Sequence, residues 1–208
     1  MLQRVGIAVA GDEIEGILHL PDGQAIGGAV VLGGRGSDLS AGNYLCDAIS
    51  GAGVAALRFS YRRPDDFASA LPDVAGAVRL LRAHPAVPQR SAVVGHSYGA
   101  AVTALAAGRD SRVRAAVLLA PPAERDYFGT LRPMAELSRT RARVLIVVPG
   151  ADELVPPEHG SRYAALLRQA GVTHHLLTID GADHEFLVPA HRSQVTSAVT
   201  AWLREALA

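Results

Sequence analysis

The sequence predicts an α/β protein: a mostly parallel, eight-stranded sheet with helices on both faces and an antiparallel hairpin at the N-terminus. Apolar runs such as Val113 to Leu119 are continuous rather than alternating, the pattern of strands buried on both faces. Those runs alternate with segments of helical spacing, as a doubly covered parallel sheet requires. The leading pair of strands is joined by a short turn and is expected to form an antiparallel hairpin. The 208 residues, 49% hydrophobic and 19% charged, hold enough apolar mass for one core and are expected to form a single domain.

The elements follow in order. Val5 to Val9 and Glu13 to Leu20 flank Ala10-Gly11-Asp12 and read as the hairpin, after which Pro21-Asp22-Gly23 makes a turn. Ala29 to Leu32 is a short apolar strand, Ala41 to Ser50 a helix, and Val54 to Phe59 another strand. Phe67 to Ala83 is a helix, because Leu71, Val74, Ala77, Val78 and Leu81 recur at helical spacing. Ser91 to Val94 is a strand and Ser97 to Ala107 a helix rich in small residues. Val113 to Leu119 and Arg143 to Val148 are strands. The helix from Pro157 to Ala170 begins after two prolines and stops at Gly171. His174 to Ile179 is the last strand and Val195 to Leu207 the last helix. The segment between Leu119 and Arg143 has room for a loop and one short helix, so no cap domain is expected and the site should be open.

Charge and cysteine content remove whole classes of function. Twenty basic and twenty acidic residues give no net charge, so neither nucleic acid nor an anionic membrane surface is expected as a partner. Cys46 is the only cysteine, which excludes an intrachain disulfide; on a helix it reads as a buried structural thiol. Met1-Leu2-Gln3-Arg4-Val5 lacks the apolar stretch of a secretory leader, and no run approaches the roughly 20 apolar residues needed to span a bilayer. A soluble cytoplasmic protein is the expectation. Oligomeric state is left open.

The segment Ala92-Val93-Val94-Gly95-His96-Ser97-Tyr98-Gly99-Ala100-Ala101 carries the most chemistry. It places a serine between two glycines at a strand-to-helix turn, where a nucleophilic hydroxyl is held exposed in a strained conformation. A Cβ at Gly95 or Gly99 would collide as strand and helix converge. A serine hydroxyl is a weak nucleophile that needs a base, and the base needs an orienting acid. Groups of this kind collect at the carboxyl ends of strands in open α/β sheets. Asp152 lies just past the strand ending at Val148, with Glu153 and Asp180 as rivals for the acid. His184 lies just past the strand ending at Ile179; its rivals His174 and His175 fall inside that strand. His96 is expected to point away from the serine's side and to play a structural part.

The order Ser97, Asp152, His184, with Gly95-His96-Ser97-Tyr98-Gly99, Gly150-Ala151-Asp152, Val155-Pro156 and Gly181-Ala182-Asp183-His184, resembles the serine α/β-hydrolases over nearly the whole chain. It is similar in its compactness to the dienelactone-hydrolase-like group. The resemblance implies an α/β-hydrolase fold and hydrolysis of a small carboxylic ester or thioester through an acyl-enzyme. It also implies backbone N–H donors for the oxyanion at Tyr98 and, on the loop Leu32-Gly33-Gly34-Arg35-Gly36-Ser37, at Arg35. That loop departs from the family, which often has histidine at the place of Gly33. Its glycines do not make a dinucleotide fingerprint either, since Leu39 stands where the third glycine belongs.

Gly34, Gly36, Tyr61, Arg62, Leu154 and Phe186 are the candidate substrate contacts, with Tyr98, Tyr127, Phe128 and Val155 as further pocket walls. Arg35, Arg62 and Arg63 raise the possibility of an anionic substrate. No cofactor is expected and no metal, because His174, Asp183 and His184 match no ligand spacing. The partner expected is a small acyl substrate. Acyl transfer or amide cleavage by the same three side chains, and a silent binding protein that kept the fold, are the alternatives.

Overall fold

The computed structural model describes residues 1–64 and 66–208. Its eight strands are β1 (Leu2–Val9), β2 (Asp12–His19), β3 (Gly28–Leu32), β4 (Ala55–Phe59), β5 (Ser91–His96), β6 (Val113–Leu119), β7 (Arg143–Pro149) and β8 (His174–Ile179). They form one sheet in the order β1-β2-β4-β3-β5-β6-β7-β8. The pairs β1·β2 and β2·β4 are antiparallel and the remainder parallel. The hairpin closes through Ala10 and Gly11, both at positive φ (48° and 91°), the two-residue turn whose twist suits adjoining antiparallel strands.

The helices are α1 (Asn43–Gly51), α2 (Ala70–Ala83), α3 (Tyr98–Arg109), α4 (Pro133–Leu137), α5 (Glu158–Gln169) and α6 (Pro189–Leu207), with short 3-10 turns at Phe67–Ser69 and Asp126–Phe128. Strand alternation sorts them into two layers. Val144, Ile146 and Val148 of β7 face a core shared with Val74, Val78 and Leu81 of α2 and Tyr163 and Leu167 of α5. Leu145 and Val147 face the opposite way, onto Leu45, Cys46 and Ile49 of α1 and Val195, Val199, Leu203 and Leu207 of α6. Because the side-chain period of a strand is two, each central strand must be apolar at every position to feed both layers, which is why these runs are continuous. Between β6 and β7 lie only a 3-10 turn and the five-residue α4, so no cap covers the carboxyl edge of the sheet. Among the described residues no helix is long and apolar enough to cross a membrane.

Most expected elements stand within two residues of their expected limits. The exceptions are β1, which begins three residues early at Leu2, α6, which begins six residues early at Pro189, and the first turn expected for α2, which is a separate 3-10 turn.

Candidate active site

Ser97 joins β5 to α3 with φ 53° and ψ −113°, a backbone conformation that costs energy for any residue with a side chain. The flanking glycines make the turn possible. A Cβ at Gly95 would sit 2.1 Å from the carbonyl oxygen of Gly99, and one at Gly99 would sit 2.6 Å from that of Gly33. Gly99 thereby lets the start of α3 lie directly against the end of β3. Gly33 meets the same constraint: a Cβ there would press within 2.7 Å of Ser37 Cβ and 2.9 Å of Ala41 Cβ. The β3–α1 loop folds too tightly over Gly33 for any side chain.

The loops after β7 and β8 bring the acid and the base together. The two strands are paired at Pro149 and Ile179, and beyond them the Ala151 N–H still donates to the Ala182 carbonyl at 2.9 Å. Asp152, 7% exposed, accepts hydrogen bonds on Oδ1 from the N–H groups of Leu154 (2.9 Å) and Val155 (2.8 Å). Its Oδ2 lies 2.7 Å from His184 Nδ1. On the other side of that ring, Nε2 lies 3.0 Å from Ser97 Oγ. A carboxylate only accepts, so Nδ1 carries the proton and Nε2 presents a lone pair to the serine hydroxyl. Ser97, His184 and Asp152 are therefore one hydrogen-bonded line. Glu153 and Asp180 are exposed; His174 bonds the Val172 carbonyl and His175 stacks on Trp202. Asp183 accepts from the N–H groups of Glu185 and Leu187, bracing the loop that carries His184.

His96 does not point away. Its Nε2 donates to the His184 carbonyl oxygen at 2.8 Å, its ring lies 4.9 Å from that of His184, and it lines the same cavity as Ser97. Burial holds the His96 imidazole below the ordinary histidine range. The expectation failed because the bend at Ser97 turns the preceding strand residue toward the histidine loop.

The cavity measures about 610 Å³ and opens between the β3–α1 loop, α1 and the start of α6. Gly34, Arg35 and Leu154 line it. Ser37, Asn43, Tyr44 and Arg192 also line it and were not expected. Several expected contacts lie elsewhere. Arg62 is committed to the fold: its Nε donates to Asp73 at 2.6 Å and its Nη1 to Asp12 at 2.8 Å, tying the hairpin to α2. Arg63 is exposed outside the cavity lining. Tyr61, 7% exposed, packs edge-on between Phe59 and Tyr98. Tyr98 and Phe128 belong to the same aromatic cluster around Phe67, with Tyr127 against it; these rings fill the other side of the elbow rather than line the cavity. Val155 is buried, and Phe186, at φ 52°, is buried completely in the α6 layer. Gly36 occupies a turn at φ 71°, outside the lining.

Arg192 is the notable newcomer. It stands in the first turn of α6, where its Nε donates to the Phe186 carbonyl at 3.1 Å and its guanidinium lies over the Tyr44 ring at 5.1 Å. Among the described residues its two terminal nitrogens make no hydrogen bond, so the fork is held from behind. Burial pushes the Tyr44 hydroxyl up to about 12, keeping it a neutral donor beside that fork.

Residues 118–208 match the model of the prolyl oligopeptidase family, a span that includes Asp152 and His184. No curated protein sequence matches the chain significantly. Among solved structures, Est1E from Butyrivibrio proteoclasticus superposes with a TM-score of 0.84 at 20% identity over 98% of each chain. The esterase domain of a Rhodothermus marinus protein does so at 0.82, with 22% identity over 100% of each chain. Dienelactone hydrolase from Anabaena variabilis gives 0.81 and 21% identity, covering 100% of this chain and 99% of that one. The sheet order, the sharp turn at Ser97 and these likenesses agree, and the chain has the α/β-hydrolase fold.

Proposed function

We propose that the chain hydrolyses a small carboxylic ester or thioester at Ser97. The observation that carries this reading is the unbroken line from Asp152 through His184 to the strained Ser97 hydroxyl. His184 takes the hydroxyl proton on Nε2 as Ser97 Oγ attacks the acyl carbon, and Asp152 holds the ring's tautomer and stabilises the imidazolium. The Tyr98 N–H, first in α3 and so without an intrahelical acceptor, and the Arg35 N–H on the β3–α1 loop are assigned to the oxyanion. His184 then returns the proton to the leaving group, and water repeats the sequence on the acyl-enzyme. No step of this sequence calls for a metal or an organic cofactor.

The substrate side of the site favours a carboxylate-bearing ester. Arg192 offers a pre-oriented, uncommitted fork, and Tyr44 and Ser37 offer hydroxyls in the same cavity. Planar recognition of this kind suits a carboxylate. Cleavage of amides is a second reading, favoured by the prolyl oligopeptidase match over residues 118–208.

A fluorophosphonate probe should label the wild type and not Ser97→Ala, whose turnover of p-nitrophenyl esters falls more than about 10⁴-fold. Absence of labelling in the wild type would remove the enzyme reading. Amino-acid p-nitroanilides assayed beside the esters decide between the two bonds. Arg192→Gln should raise KM for a succinyl monoester roughly tenfold or more while leaving a neutral ester of equal size unchanged; equal effects on both would refute the anionic preference.

A further inference from the structure

His96, His184 and Glu185 each present a metal-ligating atom, and these atoms lie within 4.8 Å of one another. Three facts make the group more than a coincidence of side chains. The His96 Nε2 faces a carbonyl oxygen, which only accepts, so that nitrogen holds the proton and Nδ1 carries a free lone pair. His184 is in the opposite tautomer for the same kind of reason: Asp152 takes the proton on Nδ1 and leaves Nε2 bare. Both imidazoles thus have the nitrogen away from the cavity engaged by an acceptor, the arrangement that orients metal-bound histidines and raises their basicity. The third donor, Glu185, is exposed, with Oε2 3.9 Å from His96 Nδ1.

We propose that these three side chains form an inhibitory site for a zinc-like divalent ion, which silences the centre by taking the His184 Nε2 lone pair away from Ser97. The proposal rests on reading Ser97 and His184 as the hydrolytic pair. Two imidazoles and one carboxylate make a ligand set that holds zinc, whereas magnesium and calcium prefer all-oxygen sites. Tetrahedral zinc with bonds of about 2.0–2.1 Å needs donors roughly 3.4 Å apart. With donors as much as 4.8 Å apart and His96 Nδ1 3.9 Å from Glu185 Oε2, binding has to draw the three side chains together by up to about 1.4 Å. Binding forms three coordinate bonds, breaks the Ser97–His184 hydrogen bond, and releases no proton, because both lone pairs are already bare. The fourth position falls to water or to the Ser97 hydroxyl.

The test titrates ZnCl2 into the intact, metal-free chain by calorimetry and follows ester hydrolysis in parallel, with MgCl2 as control. One zinc per chain should bind and inhibit, and a chelator should restore turnover. E185Q should weaken both binding and inhibition at least about tenfold. Metal-free turnover of the same variant, measured in parallel on a neutral ester, is the baseline against which its inhibition is read. H96Q, which lacks the Nδ1 lone pair, should lose the binding as well. No zinc heat, heat indifferent to E185Q, or equal inhibition by magnesium would overturn the proposal. Zinc binding that depends on Glu185 in a protein hydrolysing nothing would overturn the hydrolase reading and keep the metal site. Brisk hydrolysis indifferent to zinc would do the reverse.

Discussion

Asp152 is the residue whose removal separates geometry from charge. Its Oδ1 is held by two backbone N–H groups, which leaves Oδ2 fixed on His184. Asp152→Asn keeps the size and offers an amide in the same place. Presented with an N–H, the imidazole turns its lone pair to that side and carries its proton on Nε2, where it cannot accept from Ser97. Turnover should then fall about 10⁴-fold, the loss known for the same substitution in a serine protease, with the thermal midpoint nearly unchanged. Steady-state kinetics beside a melting curve check this; a drop of less than about tenfold would remove Asp152 from the role. At this scale the site was legible because each reacting side chain sits within a few residues of a strand end marked by glycine. Arg62 was misread for a related reason. It also follows a strand end, but the fully buried Asp73 on α2, distant in sequence, claims its guanidinium.

Elements act through what they tie together, and the Arg62 cluster ties three. Its side chain reaches Asp73 on α2, Asp12 at the start of β2 and the Val9 carbonyl at the end of β1, so this cation adds a polar tie to the β2·β4 ladder and the buried Ile7, Val9 and Leu18 that hold the hairpin to the parallel body. Asp73→Ala leaves the guanidinium without its buried partner, and should cost about 3 kcal/mol in urea unfolding, the low end for such a break because Asp12 remains. A cost below about 0.5 kcal/mol would mean that the β2·β4 ladder and apolar contacts hold the hairpin without help from this ion pair. Element boundaries also decided which contacts were foreseeable. Val195 is the first buried apolar residue of α6, so periodicity places the start there and leaves His191-Arg192-Ser193-Gln194 as loop. Pro189 at the first helical position was the available signal for the earlier start. Missing that turn meant missing Arg192, since only a helix beginning at Pro189 stands its guanidinium over Tyr44. The aromatic cluster around Phe67 was equally hidden, because it joins residues from four separate segments and no local pattern encodes it.

The whole molecule should show its buried histidines as a loss of stability in weak acid. His19 is 1% exposed, accepts from Arg58 Nε on its Nε2 and lies 3.0 Å from Asp47 through Nδ1. His159, on α5, accepts from the Ala123 N–H, and His96 lies at the elbow. Burial is the first cause that lowers all three below the ordinary value of 6.5, with the Arg58 charge adding to the effect at His19. A depressed pKa in the fold means that the unfolded chain binds more protons at mildly acid pH. Each histidine therefore contributes stability that is whole above about 6.5 and is lost as pH falls through the depressed value. Asp38, Asp110 and Glu124 are also lowered, but from carboxylate values, so their contributions fade in a more acidic range. The urea midpoint should consequently be lower at pH 5.5 than at pH 7.5, in a single transition, since the three rings sit on β2, β5 and α5 of one sheet assembly. His19→Gln preserves an acceptor for Arg58 and a donor for Asp47 but does not titrate, so its midpoint should fall less over the same interval. Midpoints that stay level, or an identical slope in His19→Gln, would show that these rings do not govern the acid response.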